Sequence, residues 1–252
     1  MDRSELVARL DDRLRTNDYA DIDASANGLQ VGRETGTVDR VALAVDAAEA
    51  TIDAAIDRDA DALLVHHGLA WGGFDHLTGL NYDRIEPLVR EDVALYVSHL
   101  PLDGHQELGN AAGLADVLGL EDRAPFGTFG PEYVGTRGTA RDSSGVDELA
   151  ALLDRELDTE TQVLGFGPDH IEDIGIVTGS GVDWIEEAAD AGLDALVTGE
   201  GKQKAYHEAR DRGLNVFLAG HYATETFGVR ALGSLCEEWG VETTYIDHPT
   251  GL

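Results

Sequence analysis

Short apolar runs and amphipathic stretches alternate along much of the chain. Residues 41–45, 61–65 and 174–177 are nearly continuous apolar runs, typical of strands that are covered on both faces. Residues 47–58 and 183–191 instead carry apolar side chains at helical spacing. This alternation of strand, short helix and strand indicates βαβ units and a mainly parallel sheet. We therefore predict an α/β fold with helices flanking the sheet.

Similar patterns recur in the rest of the chain. They predict further strands at residues 93–97, 133–140, 162–166, 194–197 and 215–219, and further helices at residues 4–16, 108–118, 146–157, 202–213 and 223–238. No apolar run approaches the roughly 18 residues that a transmembrane helix needs. We therefore expect no membrane partner.

One strand–helix–strand unit occurs twice. Asp61-Ala62-Leu63 is matched by Asp194-Ala195-Leu196, and His66-His67-Gly68 by Gly199-Glu200-Gly201, with no gap from residue 41 to residue 68. A chance likeness between two βαβ units is the alternative interpretation. The matching order and spacing favour an internal duplication, with the second copy at about residues 170–230.

The duplication predicts two similar α/β lobes. We place the first lobe at residues 1–122 and the second at residues 123–252, because Gly, Pro and charged residues cluster at 121–128. Ligand sites often lie between lobes. We therefore expect a site between these two.

Histidines and carboxylates follow three of the predicted strands. His66-His67-Gly68 ends one strand, and two others run into a His-x-x-x-carboxylate pattern, once from His99 to Asp103 and once from His221 to Glu225. Strand ends are where α/β proteins build sites. Several such ends that converge would form a metal centre.

Each of these residues also has an ordinary structural interpretation. Glu225 would be a favourable carboxylate at a helix start, and Asp103 would be a cap after Pro101. His66 and His67 would be one core and one surface imidazole, since neighbouring strand residues point to opposite faces. Gly68 makes it easy for the strand to end there, which would let both rings reach one site.

As a set, these residues provide five nitrogen and oxygen ligands: His66, His67, Asp103, His221 and Glu225. Three histidines and two carboxylates suit zinc, manganese, iron, cobalt or nickel. A shared carboxylate suits two divalent ions better than one. Paired ions polarise a substrate oxygen and activate water near neutral pH.

The chain is strongly acidic, with a formal net charge of −31, and its only lysines are Lys202 and Lys204. The acidic residues are spread along the whole chain rather than gathered in a tail, which favours adaptation to a high-salt cytoplasm over an acidic surface made to bind cations or basic partners. At 1 M salt the Debye length is about 3 Å, so self-repulsion is screened. The same charge disfavours nucleic acid as a partner. The single cysteine, Cys236, fits a reducing cytoplasm.

Five motifs in order resemble one known family. They are Asn27-Gly28-Leu29-Gln30-Val31-Gly32, His66-His67-Gly68, Ser98-His99 to Asp103, Thr178-Gly179-Ser180-Gly181 and Gly220-His221-x-x-Thr224-Glu225. The chain is similar over essentially its full length to the GTP cyclohydrolase 1 type 2 family, also called the dinuclear-metal-centre hexameric proteins. Ala24-Ser25-Ala26 replaces the family's usual aromatic and acidic residues, and the large middle insertion of some relatives is absent.

The resemblance implies the same five metal ligands as the spacing does. It implies His67 and Asp103 on one ion, His66 and His221 on the other, and Glu225 as the bridge. It also implies a toroidal homohexamer whose metal sites face an inner cavity.

Other residues are weaker candidates. His99, Glu200 and His207 are candidates for a second shell or for substrate contact. The alternative for His99 is a core or surface role, and the alternative for His207 is a place on a solvated helix. We interpret His99 as the counterpart of His221 in the first copy. Gly179, Ser180 and Gly181 follow a strand and could bind an anion, although a tight βα turn is the favoured interpretation.

Two functions fit these features. The first is a metal-dependent hydrolase that opens a purine-type ring of a nucleotide and releases formate, an activity implied by the family resemblance. The second is a protein that binds or delivers metal, or a regulatory scaffold, without catalysis. Spacing alone supports only two metal ions and hydrolytic competence.

Overall fold

The computed structural model describes residues 1–74 and 76–252. These residues form two compact units. The first comprises Met1–Leu102 and Gly228–His248, and the second comprises Asp103–Phe227 and Pro249–Leu252. Within the described residues, no helix has the length and apolar character that a membrane crossing requires.

Helices and strands alternate along the chain. The helices are α1 (Arg3–Leu14), α2 (Glu49–Ile56), α3 (Leu80–Arg90), α4 (Leu100–Asp103), α5 (Asn110–Val117), α6 (Val146–Leu157), α7 (Ile185–Asp190), α8 (Gln203–Arg212), α9 (His221–Thr224) and α10 (Thr226–Glu238). The strands are β1 (Gly28–Val31), β2 (Arg40–Asp46), β3 (Ala62–His67), β4 (Ala94–Val97), β5 (Leu120–Phe129), β6 (Glu132–Gly145), β7 (Gln162–Leu164), β8 (His170–Ile176), β9 (Ala195–Thr198), β10 (Asn215–Leu218) and β11 (Glu242–Tyr245). Short 3₁₀ turns lie at Thr16–Tyr19 and Gly181–Trp184.

The first unit is built on a sheet of order β1-β4-β3-β2-β11. Only β1 runs antiparallel to its neighbour; the other pairs are parallel. Leu63 belongs to an apolar cluster with Ile52 of α2 and Leu88 of α3. Leu43 instead closely approaches Gly233 of α10. Helices therefore flank the sheet, which explains why its strands are apolar throughout.

The second unit is built on a sheet of order β5-β6-β8-β9-β10-β7. Its parallel pairs are β8–β9 and β9–β10, and its other pairs are antiparallel. The sheet predicted to be mainly parallel is therefore mixed in this unit. The parallel part consists of the duplicated strands, and β7 and the long pair β5–β6 have been added at its edges. Helices α5 and α6 supply Leu114 and Leu153 to the apolar cluster that packs on the sheet.

The segment interpreted as a lobe boundary, residues 121–128, lies inside β5. Pro125 and Gly127 made this segment read as a linker, yet its residues pair with β6. Because β5 is an edge strand, a proline without an N–H group is tolerated there. The compact units accordingly have other bounds than the predicted lobes, and β11 pairs with β2 of the first unit.

The two copies of the βαβ unit share their strand register. Val41 is paired with Ala62 in the first copy, and Ile174 is paired with Ala195 at the equivalent positions of the second. The Asp61 carboxylate accepts the N–H groups of residues 39 and 40 at 2.8 and 2.9 Å. The Asp194 carboxylate accepts those of residues 172 and 173 at 2.9 and 3.0 Å. These repeated hydrogen bonds support the predicted duplication.

The register corrects one predicted equivalence. Ser98 donates its N–H to the carbonyl of Val65, and Ala219 donates to the carbonyl of Thr198 at the matching place. The next residue in each copy is His99 and Gly220, respectively. The interpretation of His99 as the counterpart of His221 was therefore wrong by one residue.

Candidate metal centre

Three histidines lie together in the first unit. His66 and His67 end β3, and His99 lies two residues after β4. One ring nitrogen from each histidine lies within 4.8 Å of the others. The ring centroid of His66 is 4.6 Å from that of His67 and 5.1 Å from that of His99. The structure thus groups the predicted histidine pair with a residue that the sequence ranked lower.

The chain bends at Leu69, directly after the histidine pair and Gly68. A Cβ atom at position 68 would lie 2.5 Å from Val97 Cγ2 and 2.7 Å from Gln30 Nε2, so a larger residue would displace these side chains. The Gln30 Oε1 atom accepts the N–H groups of Leu69 and Ala70 at 2.6 and 3.0 Å. Gln30 therefore holds the chain directly after β3 and gives the Asn27–Gly32 motif a structural role beside the histidines.

Each of the three imidazoles is held through its Nδ1 atom. The Nδ1 atoms of His66, His67 and His99 lie 2.9 Å from the Ser98 carbonyl, the Asp46 carboxylate and the Asp23 carboxylate, respectively. Carbonyl and carboxylate oxygens only accept, so each Nδ1 must carry the hydrogen. In the neutral ring the lone pair is then on Nε2, the nitrogen through which a histidine so anchored binds metal.

Asp23 is the most extensively bonded of these acceptors. Its side chain is 1% exposed, and it accepts hydrogen bonds from His99 Nδ1, Asn27 Nδ2 and the N–H groups of Ser25 and Leu100. Burial acts to raise the pKa of Asp23, but the hydrogen bond and charge of His99, together with the hydrogen bonds from Asn27 and Ser25, outweigh it, and the pKa is lowered. Asn27 Oδ1 accepts the His99 N–H at 2.7 Å. Both the backbone and the ring of His99 are therefore fixed.

The sequence analysis did not identify Asp23 and Asp46 as anchors, that is, as the carboxylates that accept hydrogen bonds from the histidine Nδ1 atoms. Asp46 was detectable as a carboxylate at the end of β2, directly opposite His67 in the parallel register. Asp23 had a weaker signal, its position four residues before Asn27 in a segment without a regular pattern. In a chain with so many acidic residues, neither carboxylate stands out by composition.

Two carboxylates and one histidine of the predicted set lie together in the second unit. Asp103 is the last residue of α4 and is buried. Its Oδ1 atom accepts hydrogen bonds from Asn110 Nδ2 at 2.9 Å and from Thr178 Oγ1 at 3.3 Å. An oxygen of Asp103 lies within 4.8 Å of one of Glu225, which is also buried. These two carboxylates therefore form one acidic cluster.

His221 lies between Glu225 and Glu200. Its Nε2 atom is 3.2 Å from Glu225 Oε2, and its Nδ1 atom is 3.5 Å from Glu200 Oε1. The hydrogen bond to Glu225 raises the pKa of His221 to about 9; burial opposes this rise, and the charges of Glu225 and Glu200 add to it. In the absence of a cation, the ring therefore carries a proton that a metal ion would replace.

Two glycines make room for this histidine and carboxylate. A Cβ atom at Gly179 would overlap the Glu225 carboxylate, and one at Gly199 would lie 2.6 Å from His221 Cα. In the duplication, Gly179 and Gly199 occupy the places of Asp46 and His66. Where the first copy carries the Asp46 carboxylate and the His66 imidazole, the second copy therefore leaves space that His221 and Glu225 fill.

The remaining candidates are a largely buried turn and two more exposed side chains. The Gly179 N–H donates to Thr224 Oγ1 at 3.1 Å and the Gly181 N–H to Thr198 Oγ1 at 2.8 Å, which favours a tight turn over an anion site at residues 179–181. The Glu200 side chain is 45% exposed beside His221. His207 is exposed on α8, with its ring next to Tyr206.

Comparisons with known proteins match the chain over nearly its full length. The sequence profile of the Duf34/NIF3 (NGG1p interacting factor 3) family matches residues 1–250. The chain is 56% identical to the "GTP cyclohydrolase 1 type 2 homolog" of Halobacterium salinarum, over 100% of both chains. The resemblance predicted from the motifs is thereby confirmed.

Solved structures show the same fold. TTHA1606 from Thermus thermophilus has a TM-score of 0.91 at 42% identity, and protein ybgI has a TM-score of 0.93 at 34% identity. Each match covers 100% of both chains. The predicted fold class, α/β with two sheets flanked by helices, is confirmed.

Proposed function

Since the chain belongs to the Duf34/NIF3 family, we propose that it is a metal-dependent hydrolase that holds two divalent ions. The proposed ligands are His66, His67, Asp103, His221 and Glu225. The proposed reaction is the opening of a purine-type ring in a nucleotide such as GTP. Two hydrolytic C–N cleavages at C8 would consume two water molecules and release that carbon as formate. Relatives named GTP cyclohydrolase 1 type 2 homolog support this choice of substrate class.

One observation carries the metal proposal: the Nδ1 atoms of His66 and His67 both donate to oxygen acceptors at 2.9 Å. This arrangement presents Nε2 as the ligand atom and is the usual support for a metal-binding histidine. The donor set of imidazole nitrogens and buried carboxylate oxygens suits zinc, manganese, iron, cobalt or nickel. We therefore regard the residues as a good fit to divalent ions.

Hydrogen bonds also orient the proposed ligands of the second unit. Asn110 and Thr178 orient Asp103 through hydrogen bonds to its Oδ1 atom. As a ligand, His221 would bind through a deprotonated Nε2, and Glu200, 3.5 Å from Nδ1, would orient the ring by accepting from that nitrogen. Divalent ions held here would polarise a substrate oxygen and lower the pKa of water.

The test combines elemental analysis with turnover. Protein purified without a histidine tag in high KCl should contain two divalent ions per chain, and His66→Ala and Glu225→Gln should each reduce that number. GTP with added Mn²⁺, Zn²⁺ or Fe²⁺ should yield formate with the wild-type chain and none with His66→Ala. An unchanged metal content in both variants would refute the ligand set. Tight metal binding without turnover of any nucleotide would instead support a metal-delivery or scaffold protein.

We further propose a homohexamer that works in a high-salt cytoplasm. The net charge of −31 and the relative from Halobacterium salinarum support the salt adaptation. The hexamer rests on the family resemblance. Light scattering in multimolar KCl should give six times the 27.0 kDa chain mass, and a monomer at all concentrations would rule it out.

A further inference from the structure

We propose that a cavity in the second unit, separate from the metal centre, binds the purine base of a nucleotide. Tyr206 would stack on the base, and the side-chain amides of Gln162 and Gln203 would bond to its edge. The cavity has a volume of about 370 Å³, within the range of small-molecule sites, and none of the proposed metal ligands lines it. The proposal rests on the proposed function in its choice of a nucleotide as the ligand.

Strands β7 and β10 form one side of this cavity. Gln162 and Leu164 are two residues apart on β7 and therefore point to the same face, and Leu218 of β10 is paired with Gln162. All three line the cavity, so two leucines supply an apolar floor beside one amide. Both leucines are only half-buried. A flat apolar ring would cover surface that the fold leaves in contact with water.

The first turn of α8 forms the other side. Gln203 and Tyr206 are three residues apart, which places them on one helix face, and both line the cavity. Phe166 holds the Tyr206 ring edge to face, with the centroids 5.1 Å apart and the planes at 88°. Tyr206 is nevertheless 43% exposed. A fixed but exposed aromatic ring is suited to stacking, since every base has a flat π face.

The cavity lies at the carboxyl end of two parallel strands. Leu218 ends β10, and Gly201 follows the end of β9. Ligands of open α/β sheets bind at such strand ends. A Cβ atom at Gly201 would lie 2.7 Å from Leu218 Cδ1, so the missing side chain keeps this end of the cavity open. Gly201 directly follows Glu200, which lies 3.5 Å from His221, so a bound base would lie beside the proposed metal ligands of this unit.

Lys202 supplies a positive charge to the lining of the cavity. The chain has only two lysines, and both pair with Asp183, Lys202 at 2.8 Å and Lys204 at 2.6 Å. Of the two, Lys202 lines the cavity. Its exposed ammonium group can bind a nucleotide phosphate as a point charge. Because molar salt screens charges beyond about 3 Å, stacking and hydrogen bonds should supply most of the affinity.

The experiment measures nucleotide binding without metal or turnover. GTP with a methylanthraniloyl group on its ribose (mant-GTP) is titrated with the EDTA-treated full chain in multimolar KCl, and its fluorescence reports binding. Tyr206→Leu, which keeps the apolar bulk, should weaken binding by about tenfold or more, and Tyr206→Phe should bind like the wild-type chain. The matched control is Tyr133→Leu, because Tyr133 is also 43% exposed but lies on β6. It should leave the affinity unchanged.

The two lysines provide a second matched pair. Lys202→Gln should weaken mant-GTP binding by up to about fivefold, because an exposed ion pair contributes little. Lys204→Gln, which removes the other partner of Asp183, should have a smaller effect. Equal losses in the two variants would refute a phosphate contact from Lys202.

A further measurement needs no variant and so does not depend on the folding of one. 6-Thio-GTP, photoactivated with the EDTA-treated wild-type chain, should attach its base to peptides that contain Gln162, Gln203 or Tyr206. Mass spectrometry identifies these peptides. Labelling confined to other parts of the chain would overturn the proposal.

The outcomes separate this proposal from the proposed function. If Tyr206 is needed for mant-GTP binding but no metal ion gives turnover, the base-binding cavity stands and the hydrolase fails. If the wild-type chain releases formate from GTP and a folded Tyr206→Leu variant does so with an unchanged KM, the cavity is refuted and the hydrolase stands. An EDTA-treated chain that binds no mant-GTP would also refute the cavity.

Discussion

Gly179 and Glu225 approach so closely that a methyl group on Gly179 would overlap the Glu225 carboxylate and lie 3.1 Å from His221 Nε2. Gly179 also has a φ of +61°, in the left-handed region. The absence of a side chain at residue 179 is therefore what allows Glu225 to be buried beside His221.

This contact predicts two effects of Gly179→Ala. The left-handed backbone should cost about 1–2 kcal/mol of unfolding free energy, and the displaced carboxylate should weaken divalent-metal binding about tenfold or more. Gly192→Ala is the matched control, because Gly192 has a φ of +73° with no heavy atom within 4 Å of the added methyl. Denaturation should show a larger stability loss at residue 179, because its methyl also displaces a buried carboxylate, and calorimetry should show a metal defect only there. Equal metal affinities in the two variants would contradict the expectation.

The His221–Glu225 contact predicts a pH-dependent stability of the metal-stripped chain. The pKa of His221 rises from 6.5 to about 9 on folding, mainly through the hydrogen bond to Glu225. A raised pKa stabilises the folded state fully below pH 6.5, and this contribution is lost as the pH rises through about 9, by on the order of 3 kcal/mol at most. Urea denaturation of EDTA-treated protein between pH 6 and pH 9.5 measures the loss. His221→Gln should lack this component, and an identical pH slope in both proteins would show that the pair does not form.

The buried thiol of Cys236 allows a direct test of whether folding depends on salt. Its thiol is fully buried, and burial raises its pKa to about 12. In multimolar KCl at pH 8, the thiol should therefore resist alkylation, since the reactive thiolate is absent and inaccessible. At low salt, self-repulsion among the acidic side chains should partly unfold the chain and expose the only cysteine. A labelling rate that does not differ between low and multimolar KCl would remove the inference of a halophilic protein.

The repeated turn carboxylates predict matched effects in the two units. Asp61→Ala and Asp194→Ala each remove a side chain that accepts two backbone N–H groups. Each should lower the unfolding free energy by about 1–2 kcal/mol, because the N–H groups that lose their acceptor are exposed or only partly buried. Asp→Asn at either position keeps one acceptor oxygen and should cost less. Chemical denaturation of the four variants checks this, and a large loss in one unit with none in the other would speak against equivalent roles.

Local hydrophobic patterns predicted those helices and strands whose own residues show a regular apolar spacing or a continuous apolar run. The helix predicted at residues 146–157 is present with those bounds, because its apolar spacing is regular over three turns. β2, β3, β9 and β10 were predicted as apolar runs because helices flank their sheets. β5 was missed, since Pro125 and Gly127 interrupt its pattern and its strand character comes from pairing with β6. β11 was also missed, because four residues at a sheet edge carry little local signal.

Residue type and spacing along the chain were enough to select the candidate ligands. Histidines and carboxylates that directly follow predicted strands can be recognised in the sequence alone. Folding decided which of them lie together and how each is oriented. The carboxylates of Asp23 and Asp46 became anchors only when parallel pairing and a loop contact brought them to the rings of His99 and His67. Hydrogen bonds between residues far apart in sequence depend on their proximity in the folded chain. Local sequence patterns do not show which distant residues become neighbours.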